Sequence, residues 1–156
     1  MNEGGILTDR SMEFAIGSDV PGDLGFGTPT NDRDVFMADF NLDGELDFAT
    51  ATTLSDGDPK HIGHPRVYLN QGSTDGAWNG MLFEASRIPQ LFHFGNGSAR
   101  NPRFCSVAAG DVTGNGFPDM YFGDYDSGPS SSSANDLNDR LFINDCLLYT
   151  SDAADE

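Results

Sequence analysis

Val35-Phe36-Met37-Ala38-Asp39-Phe40-Asn41-Leu42-Asp43-Gly44-Glu45-Leu46-Asp47-Phe48 decides the reading of this chain, because a second stretch lies over it without a gap. That stretch is Val107-Ala108-Ala109-Gly110-Asp111-Val112-Thr113-Gly114-Asn115-Gly116-Phe117-Pro118-Asp119-Met120, and Asp111 stands 72 residues after Asp39. A landmark follows each copy. Arg66-Val67-Tyr68-Leu69-Asn70 matches Arg140-Leu141-Phe142-Ile143-Asn144, 31 residues beyond Asp39 and 33 beyond Asp111. Asn2-Glu3-Gly4-Gly5 is similar to Asn70-Gln71-Gly72, so the chain is expected to begin where an earlier copy finishes, and both termini read as internal.

Within a copy the pattern is one of short strands. Residues 35–38, 46–52, 66–70 and 81–85 are runs of four to seven, rich in β-branched and aromatic types and bounded by Gly, Asp, Asn or Pro. Residues 104–109, 119–122 and 140–144 repeat the first three, and Leu91-Phe92-His93-Phe94 reads as an added edge or a loop anchor. No segment carries a helical period over eleven residues. A lone four-stranded sheet would leave an apolar face in water, so such units are expected to stack on copies of themselves. The expected fold is all-β: about two four-stranded antiparallel blades of a larger β-propeller. Residues 1–30 then read as the end of a preceding blade and a linker, 31–100 as the first repeat, and 101–145 as a second, shortened one.

Composition agrees with a loop-rich β protein of 156 residues. Of 25 acidic residues 20 are Asp, which favours turns over helices, and there are 19 Gly and eight Pro. Eight Lys and Arg leave a formal charge of -17, which repels phosphate backbones and anionic lipid and favours cations. Nucleic acid is therefore excluded as a partner. Membrane insertion of this segment is excluded too, since no apolar run approaches the roughly 18 residues of a spanning helix.

Residues 146–156, Cys-Leu-Leu-Tyr-Thr-Ser-Asp-Ala-Ala-Asp-Glu, resemble a translated sequencing adapter and read as a non-native tail. Removing their three acids takes the charge from -17 to -14 and leaves Cys105 without a disulfide partner in the chain. Its apolar neighbours Phe104 and Val107 predict an inert, buried thiol.

The chemistry lies in the two matched loops. Asp39, Asn41, Asp43 and Asp47 place side-chain oxygens at loop positions 1, 3, 5 and 9, around a Gly that permits a tight turn. Alternate positions converge on one side of such a loop, and the backbone carbonyl of Glu45 adds an oxygen at position 7. A calcium ion, Ca2+, is a hard cation that takes six to eight oxygens, and this donor set suits it. Asp111, Thr113, Asn115 and Asp119, with the carbonyl of Phe117, repeat the arrangement with two carboxylates in place of three, which predicts weaker binding. An EF-hand would need Glu at position 12 and helical flanks. Position 12 is Thr50 in one copy and Phe122 in the other, and the flanks read as strands.

These paired loops, each between a Val-led strand and an apolar strand and followed by Tyr68-Leu69-Asn70-Gln71-Gly72 or Phe142-Ile143-Asn144-Asp145, resemble the FG-GAP/VCBS-type repeats of calcium-binding β-propellers, related to the integrin α-subunit head. The resemblance covers nearly all of residues 1–145. It implies four-stranded antiparallel blades, usually seven to a ring, with calcium in the loop between the first two strands. It also implies a secreted, cell-surface or periplasmic setting and adhesion to an unidentified protein or glycan ligand. The Gly-Ala-Pro that should follow the loop strand is Ala49-Thr50-Ala51 in one copy and Gly123-Asp124-Tyr125 in the other, which favours the bacterial type over an integrin head.

Other signals are weaker. His61-Ile62-Gly63-His64 matches a synthetase nucleotide-binding tetrapeptide but sits in a Pro-flanked loop, where both His are expected to be exposed; a transition-metal pair is the alternative. Residues 130–133 are four serines in the matching loop of the second copy, among Asp124, Asp126, Asp136 and Asp139, and read as a solvated acidic insertion. Trp78 is expected under the sheet edge, with sugar stacking as the alternative. No nucleophile elbow, phosphate loop, paired-cysteine site or zinc-protease helix is present. The expected function is a calcium-stabilised module for extracellular recognition. The alternative is the propeller part of a secreted polysaccharide lyase or hydrolase, by analogy of fold alone.

Overall fold

The computed structural model describes residues 2–3, 5–53, 57–125 and 137–145. Its strands are β1 (Asn2–Glu3), β2 (Ile6–Leu7), β3 (Gly17–Ser18), β4 (Asp32–Ala38), β5 (Asp47–Thr52), β6 (Arg66–Asn70), β7 (Ser73–Thr74), β8 (Ala77–Trp78), β9 (Met81–Phe83), β10 (Phe104–Gly110), β11 (Asp119–Asp124) and β12 (Arg140–Phe142). Two single-turn helices, α1 (Ser11–Phe14) and α2 (Lys60–Gly63), and two 3-10 turns complete the described elements. The protein is mostly β.

Five strands form one sheet in the order β3-β9-β6-β5-β4. β4, β5, β6 and β9 run antiparallel in succession, and β3 joins the outer edge in parallel to β9. The second sheet, β10-β11-β12, is antiparallel throughout. The repeat extends to fine detail. The pairing of β4 with β5 slips between Asp32 and Asp34, and that of β10 with β11 slips between Phe104 and Ser106, at the same 72-residue offset. A bulge repeated in register re-aims the same side chains in each copy.

Strand alternation gives each sheet two faces, and the faces differ in cover. Phe40, Ala49, Ala51, Val67 and Leu69 from the first sheet meet Phe104, Val107, Met120 and Phe122 from the second in one core, sealed by Ile88, Leu91 and Leu137. Burial of each large side chain there stabilises by about 1.5–3 kcal/mol. Phe104 stacks on Phe122 with ring centroids 5.2 Å apart. The far face of the first sheet packs Tyr68, Met81 and Phe83 against Ala15, Val20 and Trp78, so residues of the N-terminal segment cover part of it. Asp23 in that segment also pins Arg66: the guanidinium donates to both carboxylate oxygens at 2.8 and 3.1 Å, and lies 3.6 Å over the Phe83 ring. Both charges are fully buried. Burial is the largest influence and pushes the Asp23 carboxyl up, yet the hydrogen bonds from Arg66, Gly25 and Thr28 and the Arg66 charge together outweigh it and hold the group below its ordinary value.

Several sequence expectations change. β9 ends at Phe83, because the chain turns into a 3-10 helix at Ala85–Arg87. Leu91 anchors its loop in the core, and Phe92 pairs only locally with Ala99. Cys105 is exposed, since it is the extra residue of the bulge where β10 slips against β11 between Phe104 and Ser106, and so leaves the core that holds both Phe104 and Val107. His64 is buried: α2 turns its ring inward, where Nε2 accepts the N–H of Leu91 at 3.1 Å. Trp78 is half-buried, 5.1 Å from Phe14, and donates its indole N–H to Asn70. Asp124 and Asp139 are joined, the Asp124 N–H donating to the Asp139 carboxylate. Residues 130–133, Asp126, Asp136 and the 146–156 tail lie outside the described residues.

Candidate cation loops

One loop closes the hairpin of β4 and β5 and the other that of β10 and β11, with Ala38 paired to Asp47 and Gly110 to Asp119 at the mouth. Both take left-handed backbone at the same two positions. These are Leu42 (φ 57°) and Gly44 (φ 91°) in the first loop, and Gly114 (φ 77°) and Gly116 (φ 92°) in the second. Gly meets that demand without strain at three of the four; Leu42 does not.

In the first loop Asp39 accepts the N–H groups of Asp43 (3.1 Å) and Gly44 (2.8 Å). Asn41 accepts the Asp43 N–H at 3.2 Å and donates to the Asp43 carboxylate at 2.8 Å. Glu45, expected to offer its carbonyl, donates its own N–H to Asp43 at 2.9 Å. Asp47 is fully buried and stands apart in role: its two oxygens accept Phe40 N–H at 2.9 Å and Asn70 N–H at 2.8 Å, tying the loop to the end of β6.

The second loop repeats the plan. Asp111 accepts from Gly114, Asn115 and Gly116 at 2.7–3.1 Å. Thr113 lies at the limit of hydrogen bonding to Asp111, at 3.5 Å. Asn115 accepts the N–H of Phe117 and donates to the carbonyl of Asn144, both at 2.9 Å. The buried Asp119 accepts from Val112, Thr113 and Asn144. Asn70 and Asn144 are visible in the sequence as landmarks, but nothing there marks them as partners of Asp47 and Asp119. The signal was the near-equal spacing from loop to landmark, 31 and 33 residues.

The electrostatics of the two loops differ. Burial raises the pKa of Asp47, and the neighbouring Asp43 and Asp39 charges raise it further against two backbone hydrogen bonds. Asp39, Asp43 and Asp47 thus repel one another in a nine-residue loop that carries a fourth carboxylate, Glu45, and no Lys or Arg. In the second loop the Gly116 N–H, with those of Gly114 and Asn115, holds the Asp111 carboxyl below its ordinary value.

Among the described residues no group of three or more His, Cys, Asp or Glu is drawn together as a ready metal cage. The carboxylates bond to loop N–H groups instead. That arrangement leaves room for a cation, because each carboxylate oxygen has two acceptor sites and the N–H bonds use only part of them. The donor set is all oxygen, and the unbalanced repulsion around Asp47 is what a hard divalent ion would relieve, so the first loop fits calcium. The same loop borders an open polar cleft of about 670 Å³, with Gln71, Asn79, Glu84 and Arg87 among its other lining residues. No family model, no curated protein and no solved structure matches this chain.

Proposed function

We propose that the chain forms two repeats of a calcium-stabilised β-propeller that serves extracellular adhesion or ligand recognition. The observation that carries this reading is a mismatch between equivalent side chains. Phe40, Ala49, Val67 and Leu69 are buried under the second sheet, whereas their counterparts Val112, Tyr121, Leu141 and Ile143 are 66, 44, 54 and 48 % exposed. A face of that composition is what a further sheet of the same kind would cover. The fourfold antiparallel order of β4, β5, β6 and β9 and the bulge repeated in register support the same reading.

In this reading Asp39, Asn41, Asp43 and Asp47, with the carbonyl of Glu45, hold one ion, and Asp111, Thr113, Asn115 and Asp119, with the carbonyl of Phe117, hold another. The ion does no chemistry. All its ligands come from one short loop, unlike a catalytic site that keeps a position open for substrate. Calcium at about millimolar concentration outside cells would fill even weak sites. The polar cleft beside the first loop offers a place for a protein or glycan ligand whose shape-fit depends on the loop.

Calorimetric titration of the chain with calcium tests the reading, together with melting in chelator and a panel of polysaccharides screened for binding and cleavage. Two classes of site, the tighter one lost in Asp43→Ala, and a higher melting temperature with calcium are expected. Polysaccharide cleavage that one cleft substitution abolishes, with calcium binding intact, would replace recognition by the lyase or hydrolase alternative.

A further inference from the structure

Phe40 sits between two of the proposed ligands, Asp39 and Asn41, and three separate groups hold it. Its ring fills the core between the two sheets. Its N–H donates to Asp47 at 2.9 Å. Its carbonyl accepts from the side-chain amide of Asn144, 104 residues away in the second repeat, at 2.8 Å. The same amide reaches the carbonyl of Pro118 at 3.3 Å, and the backbone of Asn144 bonds to Asp119 and Asn115. Asn70, its counterpart, makes the local bond to Leu46.

We infer that Asn144 is a positioning residue that couples cation binding in the first loop to docking of the second sheet. The inference rests on the calcium reading of that loop. Shifting the peptide of Phe40 moves the ligands on both sides of it, because the backbone between them has few soft angles. The second sheet fixes that peptide through the ring and through the Asn144 amide. By reciprocity, whatever the docked sheet adds to calcium affinity, calcium adds to docking. One neutral hydrogen bond corresponds to roughly a two- to tenfold change in an equilibrium constant.

The test compares the chain with its Asn144→Ala form, which keeps the backbone bonds to Asp119 and Asn115. Calcium affinity of the first loop is measured by calorimetry, and amide exchange across β10 and β11 with and without calcium. The expected results are a two- to tenfold weaker tight site in Asn144→Ala and a smaller calcium-induced gain in protection of the second sheet. Asn70→Ala, which breaks ties only within the first copy, to Leu46, Gly72 and Trp78, should leave that calcium-induced gain in the second sheet intact. A purely structural role for Asn144 would lower protection equally in chelator and in calcium, and that result overturns the coupling. Unchanged tight binding in Asn144→Ala overturns it too, while leaving the calcium reading standing. A chain that binds no calcium overturns both.

Discussion

Phe40 and Val112 occupy the same place in their loops, each after the first aspartate, and each sends its N–H to the buried carboxylate that ends the loop. The local structures match, yet Phe40 is 2 % exposed and Val112 66 %. The difference lies in what packs outside the loop. The first loop is locked by a neighbouring sheet; the second, among the described residues, is held by hydrogen bonds within the loop and to Asn144 of its own copy. Local sequence therefore sets the turn, and stacking sets how firmly it is held.

The largest effect should come from removing that lock. Phe40→Ala is expected to destabilise by about 3–5 kcal/mol, as Phe truncations in packed cores do, and Val112→Ala by less than about 0.5 kcal/mol, the usual range for an exposed site. Urea unfolding of both variants measures the contrast. Equal losses would mean that the two loops are held alike and that the face around Val112 is covered in solution.

Acid should separate the two repeats next. His64 is buried against Leu91, and burial, with the Lys60 charge against it, lowers its pKa from 6.5 to about 4. The folded state refuses a proton that the unfolded chain accepts. Stability from this group is therefore complete above pH 6.5 and falls as pH drops through the window from 6.5 to 4. The gap corresponds to a loss of about 3 kcal/mol, to order of magnitude. Thermal melts across that range should show it, and His64→Gln should flatten the slope. An unchanged slope would place the acid sensitivity in the carboxylates instead.

A smaller effect should come from the backbone. Leu42 and Gly114 hold the same left-handed position, but only Leu42 meets the steric penalty of a Cβ there. Its side chain is half-exposed and packs little, so Leu42→Gly should stabilise by about 1 kcal/mol. Gly114→Leu should cost a similar amount. If Leu42→Gly destabilised the protein, the side chain would be bonding to something beyond its own loop.

These contrasts also mark how far the sequence could be read. Strands and loops were legible because the 72-residue match fixes register: any slip would turn Val107 and Phe122 away from the core. β6 has the bounds expected from its apolar run. What was not legible depends on contacts between distant segments. Nothing near Arg66 foretells Asp23, 43 residues away, as its buried partner. The ring of His64 turns inward because α2 forms where the Pro-flanked motif suggested an open loop. Cys105 looked buried between Phe104 and Val107, but the bulge between Phe104 and Ser106 turns it out of the core that holds both neighbours. The candidate loop residues were named from spacing, whereas the fixed posts of Asp47 and Asp119 are the backbone N–H groups of Asn70 and Asn144.

The finest contrast is charge. At the four side-chain positions proposed to face the ion the first loop has three carboxylates and the second two, and Asp43 and Asn115 mark the position where that charge differs; Glu45, opposite Phe117, adds a fourth carboxylate to the first loop. Asn115→Asp would give the second loop the missing charge and, by charge count alone, tighten its calcium affinity. The structure predicts that the gain is partly offset. The Asn115 oxygen that accepts the Phe117 N–H survives the change, but the amide that donates to the Asn144 carbonyl does not, and a carboxylate oxygen would then face that carbonyl. A net gain below tenfold, under about 1.4 kcal/mol, is therefore expected by calorimetry. A tenfold or larger gain would mean that calcium pulls the new carboxylate away from Asn144 and closes the loop around itself. No gain would mean that the Asn115 to Asn144 bond, and not the charge, sets the affinity of the second loop.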